Sequence, residues 1–328
     1  MTLQTSTISA ASGRGLFADK KRMIRLARQY APFIAFILLI VCFSFASPVF
    51  FSVNNFLNIG RQTALVTIMA VGMTILIVSG ELDLSIGATL ALSGVTAAMA
   101  MQATGDNMAI GILVGLATGG LIGAINGTLT TRLKIPSFLV TLGMMGIARG
   151  TALLLTGTMA VPVMNMTFWD VMGGGNIYFI PATLVFSALA LIGGAYILHF
   201  TAFGRRIYAV GGNAKAARYS GINVARVKTM AFIGMGSLSG LAGLILTARF
   251  HAARPDTAAG IELDVLAAVI LGGTSLFGGR GLIIGSLLGS LLIGVLNNGL
   301  TLMSVTSSAQ LVIKGIIIIA AVAFSSER

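Results

Sequence analysis

Residues 203–228, FGRRIYAVGGNAKAARYSGINVARVK, carry six basic side chains and no acidic one. Only 9% of the whole chain is charged, and the sequence on both sides of this stretch is apolar. A hydrophobic protein that interrupts itself with one basic, locally helical insert has built a surface for a partner on one side of a membrane. Within the insert, Asn213 can accept a hydrogen bond from the free amides that open a helix, and Gly221 suits the left-handed cap that closes one. Ala214 to Ser220 would then form about two turns, with Lys215 and Arg218 three apart on one face. Gly211 and Gly212 supply the turn before it, and Arg205 and Arg206 sit where the preceding span leaves the membrane. The competing reading is a plain basic loop held near anionic lipid.

Composition sets the class. Mean hydropathy is +0.97 over 328 residues. Apolar runs near the roughly 20 residues that a bilayer-spanning helix needs recur along the whole length. Too little charge is present to surface a soluble core of this size. A net charge of +12 comes without a single basic face or aromatic-rich surface, which excludes a nucleic-acid partner. Cys42 is the one cysteine and His199 and His251 are far apart, so neither a disulfide framework nor a metal cluster is expected.

The fold class expected is an all-α polytopic membrane bundle of about ten spans. These lie near 31–50, 62–80, 84–101, 108–130, 137–157, 177–198, 229–249, 262–277, 282–300 and 309–325. A basic leader covers 1–30, the membrane domain 31–325, and a short tail 326–328. The first span is read as an uncleaved anchor in preference to a signal peptide cut near Phe45-Ala46-Ser47. Starting inside, the inner segments hold 16 of the 21 Lys and Arg residues, which places both termini and the insert in the cytoplasm.

Glycines form ladders at every fourth position, Gly115-Gly119-Gly123-Gly127 and Gly281-Gly285-Gly289. Each leaves one helix face bare for close packing. A faint repeat accompanies them. Gly80-Glu81-Leu82-Asp83 is echoed by Glu262-Leu263-Asp264, and Asn126-Gly127 by Asn298-Gly299, in opposed orientation. That is the pattern of an inverted-topology repeat.

Glu81 and Asp83 are costly near membrane depth. They either end a span at the inner surface or mark a helix break along a solute pathway; proton coupling through them belongs to an ion-coupled secondary transporter, the alternative class. Asn126, Asn297 and Asn298 offer uncharged groups that can touch a hydroxyl-rich solute or bond neighbouring helices. Arg149 needs a partner or water. No Gly-Lys dipeptide, and therefore no GxxxxGK[ST] phosphate loop, is present. Nucleophile elbows, HExxH helices and CxxC pairs are missing too, so no catalytic residue, metal or cofactor is assigned to the chain.

Four stretches together resemble the ribose-type permeases, the transmembrane subunits of bacterial ABC sugar importers. They are IMAVGMTILIVSGELDLS (68–85), FGRRIYAVGGNAKAARYSGINV (203–224), ELDVLAAVILGGTSLFGGRG (262–281) and GVLNNGLTL (294–302). The resemblance extends from about Pro32 to Phe324, in the family's order. Glu81 departs from it, standing where relatives often carry a small or β-branched apolar residue. The resemblance implies an inner-membrane permease paired with a second copy or close paralogue. It also implies a separate cytosolic ATPase that holds ATP and magnesium, and a periplasmic binding protein that delivers a monosaccharide and sets most of the specificity. On this resemblance the insert is the coupling helix that docks on the ATPase, through Gly211, Gly212, Asn213, Lys215, Arg218 and Gly221.

Overall fold

A computed structural model describes residues 33–326. The basic leader expected over 1–30 lies outside the described residues, as does most of the tail. The bundle is helical. Its elements are α1 (Phe33–Ala46), α2 (Val53–Val78), α3 (Ile86–Ala103), α4 (Met108–Arg132), α5 (Ser137–Thr156), α6 (Met166–Trp169), α7 (Ala182–Phe200), α8 (Ala202–Gly212), α9 (Ala214–Tyr219), α10 (Val224–Phe250), α11 (Ile261–Leu271), α12 (Ile283–Leu302) and α13 (Ser307–Ser326). Seven of these, α2 to α5, α7, α10 and α12, are long and apolar enough to cross a bilayer, and α1 and α13 add shorter apolar stretches. The protein is therefore a polytopic helical membrane protein.

Each expected span contains one helix, but the eighth needs correction. Where a crossing was expected over 262–277, α11 stops at Leu271 after eleven residues, a rise of about 16 Å against a hydrocarbon core of roughly 30 Å. The reason is local. Gly273 takes a left-handed φ of 86°, and Gly272 meets the backbone of Gly285 so closely that no side chain fits. The chain then runs on as turns until the Gly279 N–H donates to the Val78 carbonyl at 2.9 Å. Irregular backbone survives at membrane depth only where protein or water satisfies it, and here the Val78 carbonyl of α2 and the Tyr208 hydroxyl of α8 do so.

The ladders explain the tightest contacts. Gly119 of α4 lies against the Gly236 carbonyl of α10, with Gly123 against Phe232 and Gly127 against Thr229. In the second ladder Gly285 and Gly289 of α12 meet Gly272, just past the end of α11, and Ala268 of α11. Helices carrying such bare faces approach backbone to backbone. Gly119→Val is expected to destabilise the bundle by about 1–3 kcal/mol through overpacking. Gly143→Ala, at a site with nothing within 4 Å, should be neutral; thermal unfolding of the two purified variants checks the contrast.

At one end, residues 157–181 and 251–260 form the cap. Strand β1 (Val161–Pro162) pairs antiparallel with β4 (Ala252–Ala253), and β2 (Asn176–Ile177) with β3 (Ile180–Pro181). The Trp169 indole stacks on His251 with ring centres 4.0 Å apart. Arg149 is answered there: its Nη1 donates to the Pro255 and Thr257 carbonyls, both at 2.7 Å. The guanidinium ties α5 to the loop ahead of α11 and is not stranded in lipid.

The two Glu-Leu-Asp sequences sit at opposite ends of α2. Asp83 follows the C-terminus of α2 and accepts from Asn126 Nδ2 at 3.3 Å. Asp264 opens α11 and accepts from Asn297 Nδ2 at 3.1 Å, while the adjoining Asn298 bonds Asn55 near the start of α2. Each acidic echo thus finds the asparagine of its own half. The matching residue in the second half is Asn297, one position before the Asn298 of the expected repeat.

Candidate functional site

The 203–228 insert folds as two helices, α8 and α9, followed by the start of α10, and the first was not foreseen. Thr201 caps α8, its hydroxyl accepting from the Gly204 N–H at 3.2 Å. Gly204, Ile207 and Val210 form the buried stripe, while Arg205 and Arg206 are exposed on the other side. Gly211 and Gly212 belong to the last turn of α8 and make no separate turn, which corrects the sequence reading. Gly211 is needed for packing, because a Cβ there would overlap the Val78 carbonyl. Tyr208 Oη donates to the Gly281 carbonyl at 2.7 Å, so α8 is braced on both α2 and the start of α12. Burial holds the Tyr208 hydroxyl above its ordinary pKa.

Helix α9 has the caps expected of it. Asn213 breaks the path in an extended conformation and accepts from the Ala216 N–H at 3.0 Å. Gly221 closes it with a φ of 81°, its N–H donating to Arg218 while Ile222 donates to Ala217, both at 3.0 Å. Ala217 faces inward, and Lys215, Arg218 and Tyr219 point away, Tyr219 at 92% exposure. Arg205, Arg206, Lys215 and Arg218 make no ion pair among the described residues. Asn223 then caps α10 by accepting from the Arg226 N–H at 3.0 Å. The result is a short basic helix with one braced side and one free side.

Two neighbours complete this end. The turn after α11 lays Gly278 and Gly279, both at positive φ, against Gly211 and Gly212. Lys228 Nζ, in the second turn of α10, forms an ion pair with Glu81, the two side chains only 17% and 12% exposed. Glu81 was singled out by sequence, but nothing in the pattern pointed to Lys228, which is 147 positions away.

The five polar candidates for a pathway separate into two groups. Glu81, Asp83 and Asn126 lie at the end shared with α8 and α9. Asp83 is buried and accepts from the Ser85 N–H at 2.8 Å and the Ser85 hydroxyl at 2.6 Å. Burial raises its pKa, opposed by the hydrogen bonds from Ser85 and Asn126. Asn297 and Asn298 lie at the other end. Asn298 and Asn55 exchange amide hydrogen bonds at 2.9 and 3.0 Å, while Asn297 joins Asp264, which also pairs with Lys314 at 2.9 Å. Lys314 falls inside the span expected over 309–325, and nothing in the sequence pattern pointed to Asp264 as its partner. Among the described residues no cluster of three metal-binding side chains occurs.

Residues 55–322 match the family described as the permease component of the branched-chain amino acid transport system. The chain belongs to this family. The permease is 43% identical over 302 residues to the ribose import permease protein RbsC of Bacillus subtilis, covering 92% of this chain and 94% of that one. It is 38% identical over 325 residues to RbsC of Escherichia coli K12, covering 98% and 99%. With the D-allose transport system permease protein AlsC of Escherichia coli it shares 36% identity over 296 residues, 90% of each chain. No solved structure matches it. As a permease component it is a multi-pass membrane protein and is not catalytic by itself.

Proposed function

We propose that this permease is the membrane subunit of an ABC importer for a monosaccharide or similar small polyol, resident in the bacterial inner membrane. The observation that carries the reading is the free basic face of α9, mounted on an α8 braced against α2 and α12. Such a helix is suited to receive a push from an acidic groove on a cytosolic ATPase, which supplies ATP and magnesium from its own chain. Arg205, Arg206, Lys215 and Arg218 provide the charge; Gly211, Gly212, Asn213 and Gly221 provide the close packing and caps that hold the helix in place. The names of the relatives, for ribose and allose, support a sugar as cargo. A periplasmic binding protein delivers it, and a second permease, identical or paralogous, completes the pore.

On this reading Glu81, Asp83 and Asn126 order the inner mouth of the pathway, and Asn297 and Asn298 the outer one. The test is reconstitution in proteoliposomes with a cytosolic ATPase and a periplasmic binding protein from the same organism. ATP-dependent accumulation of D-ribose, D-allose or L-arabinose is the expected result. Uptake that needs no ATPase and is abolished by a protonophore would replace this reading with the ion-coupled one.

A further inference from the structure

The outer end holds a polar seam that helix packing alone leaves unexplained. Helix α12 carries Asn297 and Thr301 four residues apart, and α13 carries Gln310 and Lys314 four residues apart. Residues at that spacing share a helix face. The two faces meet: Gln310 Nε2 donates to Thr301 Oγ1 at 3.4 Å, and Thr301 Oγ1 donates to the Asn297 carbonyl at 2.8 Å. Asp264 of α11 closes the inner end, accepting from Asn297 at 3.1 Å and from Lys314 at 3.0 Å. The seam begins at the exposed mouth, at Thr301, and ends at a carboxylate and ammonium only 10% and 15% exposed.

We propose that Asp264, Asn297, Thr301, Gln310 and Lys314 line the outer entry of the solute path and bind hydroxyl groups of an uncharged, polyhydroxylated solute. This rests on the importer reading above. Three observations favour it over simple helix glue. Lys314 is the one charged residue of α13, seven residues past its start, and turns to Asp264, where a glue role would need no charge and a snorkelling lysine would reach for the surface. The buried Asn297 Oδ1 has no hydrogen-bond partner, so an acceptor is left open beside the ion pair. The opposite face of α13, Val312, Ile316 and Ile319, is exposed and wholly apolar, which assigns that face to lipid and leaves the seam to water. A sugar hydroxyl both donates and accepts; Asp264 and Asn297 accept, Lys314 donates, and Gln310 does both. A charge-balanced carboxylate and ammonium favour a neutral solute over an ion of either sign.

The test uses the complete transporter in right-side-out vesicles, with Cys42→Ser as background. Thr301→Cys should react with a membrane-impermeant thiol reagent at least about tenfold faster than the lipid-face control Ile316→Cys. Labelling should abolish ATP-dependent uptake, and whichever of D-ribose, D-allose or L-arabinose is transported should slow it when delivered by the binding protein. Reaction no faster than at Ile316→Cys, or labelling that leaves uptake unchanged, overturns the assignment. A second arm separates binding from clamping. Lys314→Gln should lower uptake at least tenfold, and adding Asp264→Asn, which restores a neutral hydrogen bond, should fail to recover it. Recovery in the double variant would make the pair a helix clamp and sink the proposal. Failure of the importer reading is seen independently, as the absence of ATP-dependent uptake by the unmodified permease; fast labelling in that case leaves the water-lined seam standing and overturns its sugar cargo.

Discussion

Lys215→Glu combined with Arg218→Glu is expected to abolish ATP-dependent uptake while the permease still folds and inserts. Both side chains are exposed and make no ion pair among the described residues, so their reversal removes no internal contact. What changes is the face offered to the ATPase, from two positive charges to two negative ones. Like charges facing one another across an interface cost several kcal/mol, enough to reduce association by orders of magnitude. The caps of α9 are untouched, since Asn213 and Gly221 remain. Co-purification of a tagged ATPase with the permease is the direct measurement, with uptake as the second. Wild-type uptake by the double variant would remove α9 from the docking surface.

The second large effect is expected at the ion pair between Glu81 and Lys228. Glu81→Lys should lower uptake at least tenfold, and the exchange Glu81→Lys with Lys228→Glu should recover most of it. The pair is mostly buried; removing one partner of such a pair costs about 3–5 kcal/mol, and a like charge in its place costs no less. Its position makes the consequence functional. Helix α10 follows α9 after four residues, Ser220 to Asn223, so a displacement of α9 reaches Lys228 within two further turns. From there the ion pair would pass it to the turn that holds Asp83, which accepts from Asn126 of α4. ATP hydrolysis should therefore persist in Glu81→Lys while uptake falls, because Lys215 and Arg218 are unaltered. If the exchange fails to restore uptake and Glu81→Ala is neutral, the pair carries no motion.

Much of the fold was legible because it rests on local chemistry. Each apolar run announced a helix, and Asn213 and Gly221 announced the ends of α9, since caps are satisfied by atoms a few residues away. The ladder Gly115-Gly119-Gly123-Gly127 announced a bare face, though not that α10 would cover it. The short α11 was read as a full span because Val265 to Ile270 is as apolar as any crossing. Its end depends on Gly272 meeting Gly285, a contact between segments. Helix α8 was missed for a similar reason. Its buried positions Gly204, Ile207 and Val210 do recur at helical spacing, but Gly211-Gly212 reads as a turn in isolation, and the helix is held by Val78 and Gly281 from outside.

The amino-acid sequence alone determined that this is a polytopic membrane protein carrying a basic, capped helix between two of its apolar segments. Hydrophobicity, charge bias and cap geometry are properties of neighbouring residues, and they survive without knowledge of the rest. Only the tertiary structure decided who meets whom: Glu81 with Lys228, Asp264 with Asn297 and Lys314, and Gly211 with Val78. In an apolar chain nearly every surface can pack on every other, so partners are chosen by backbone approach at glycines and by the cost of leaving a buried charge alone. Neither quantity is written in any single segment.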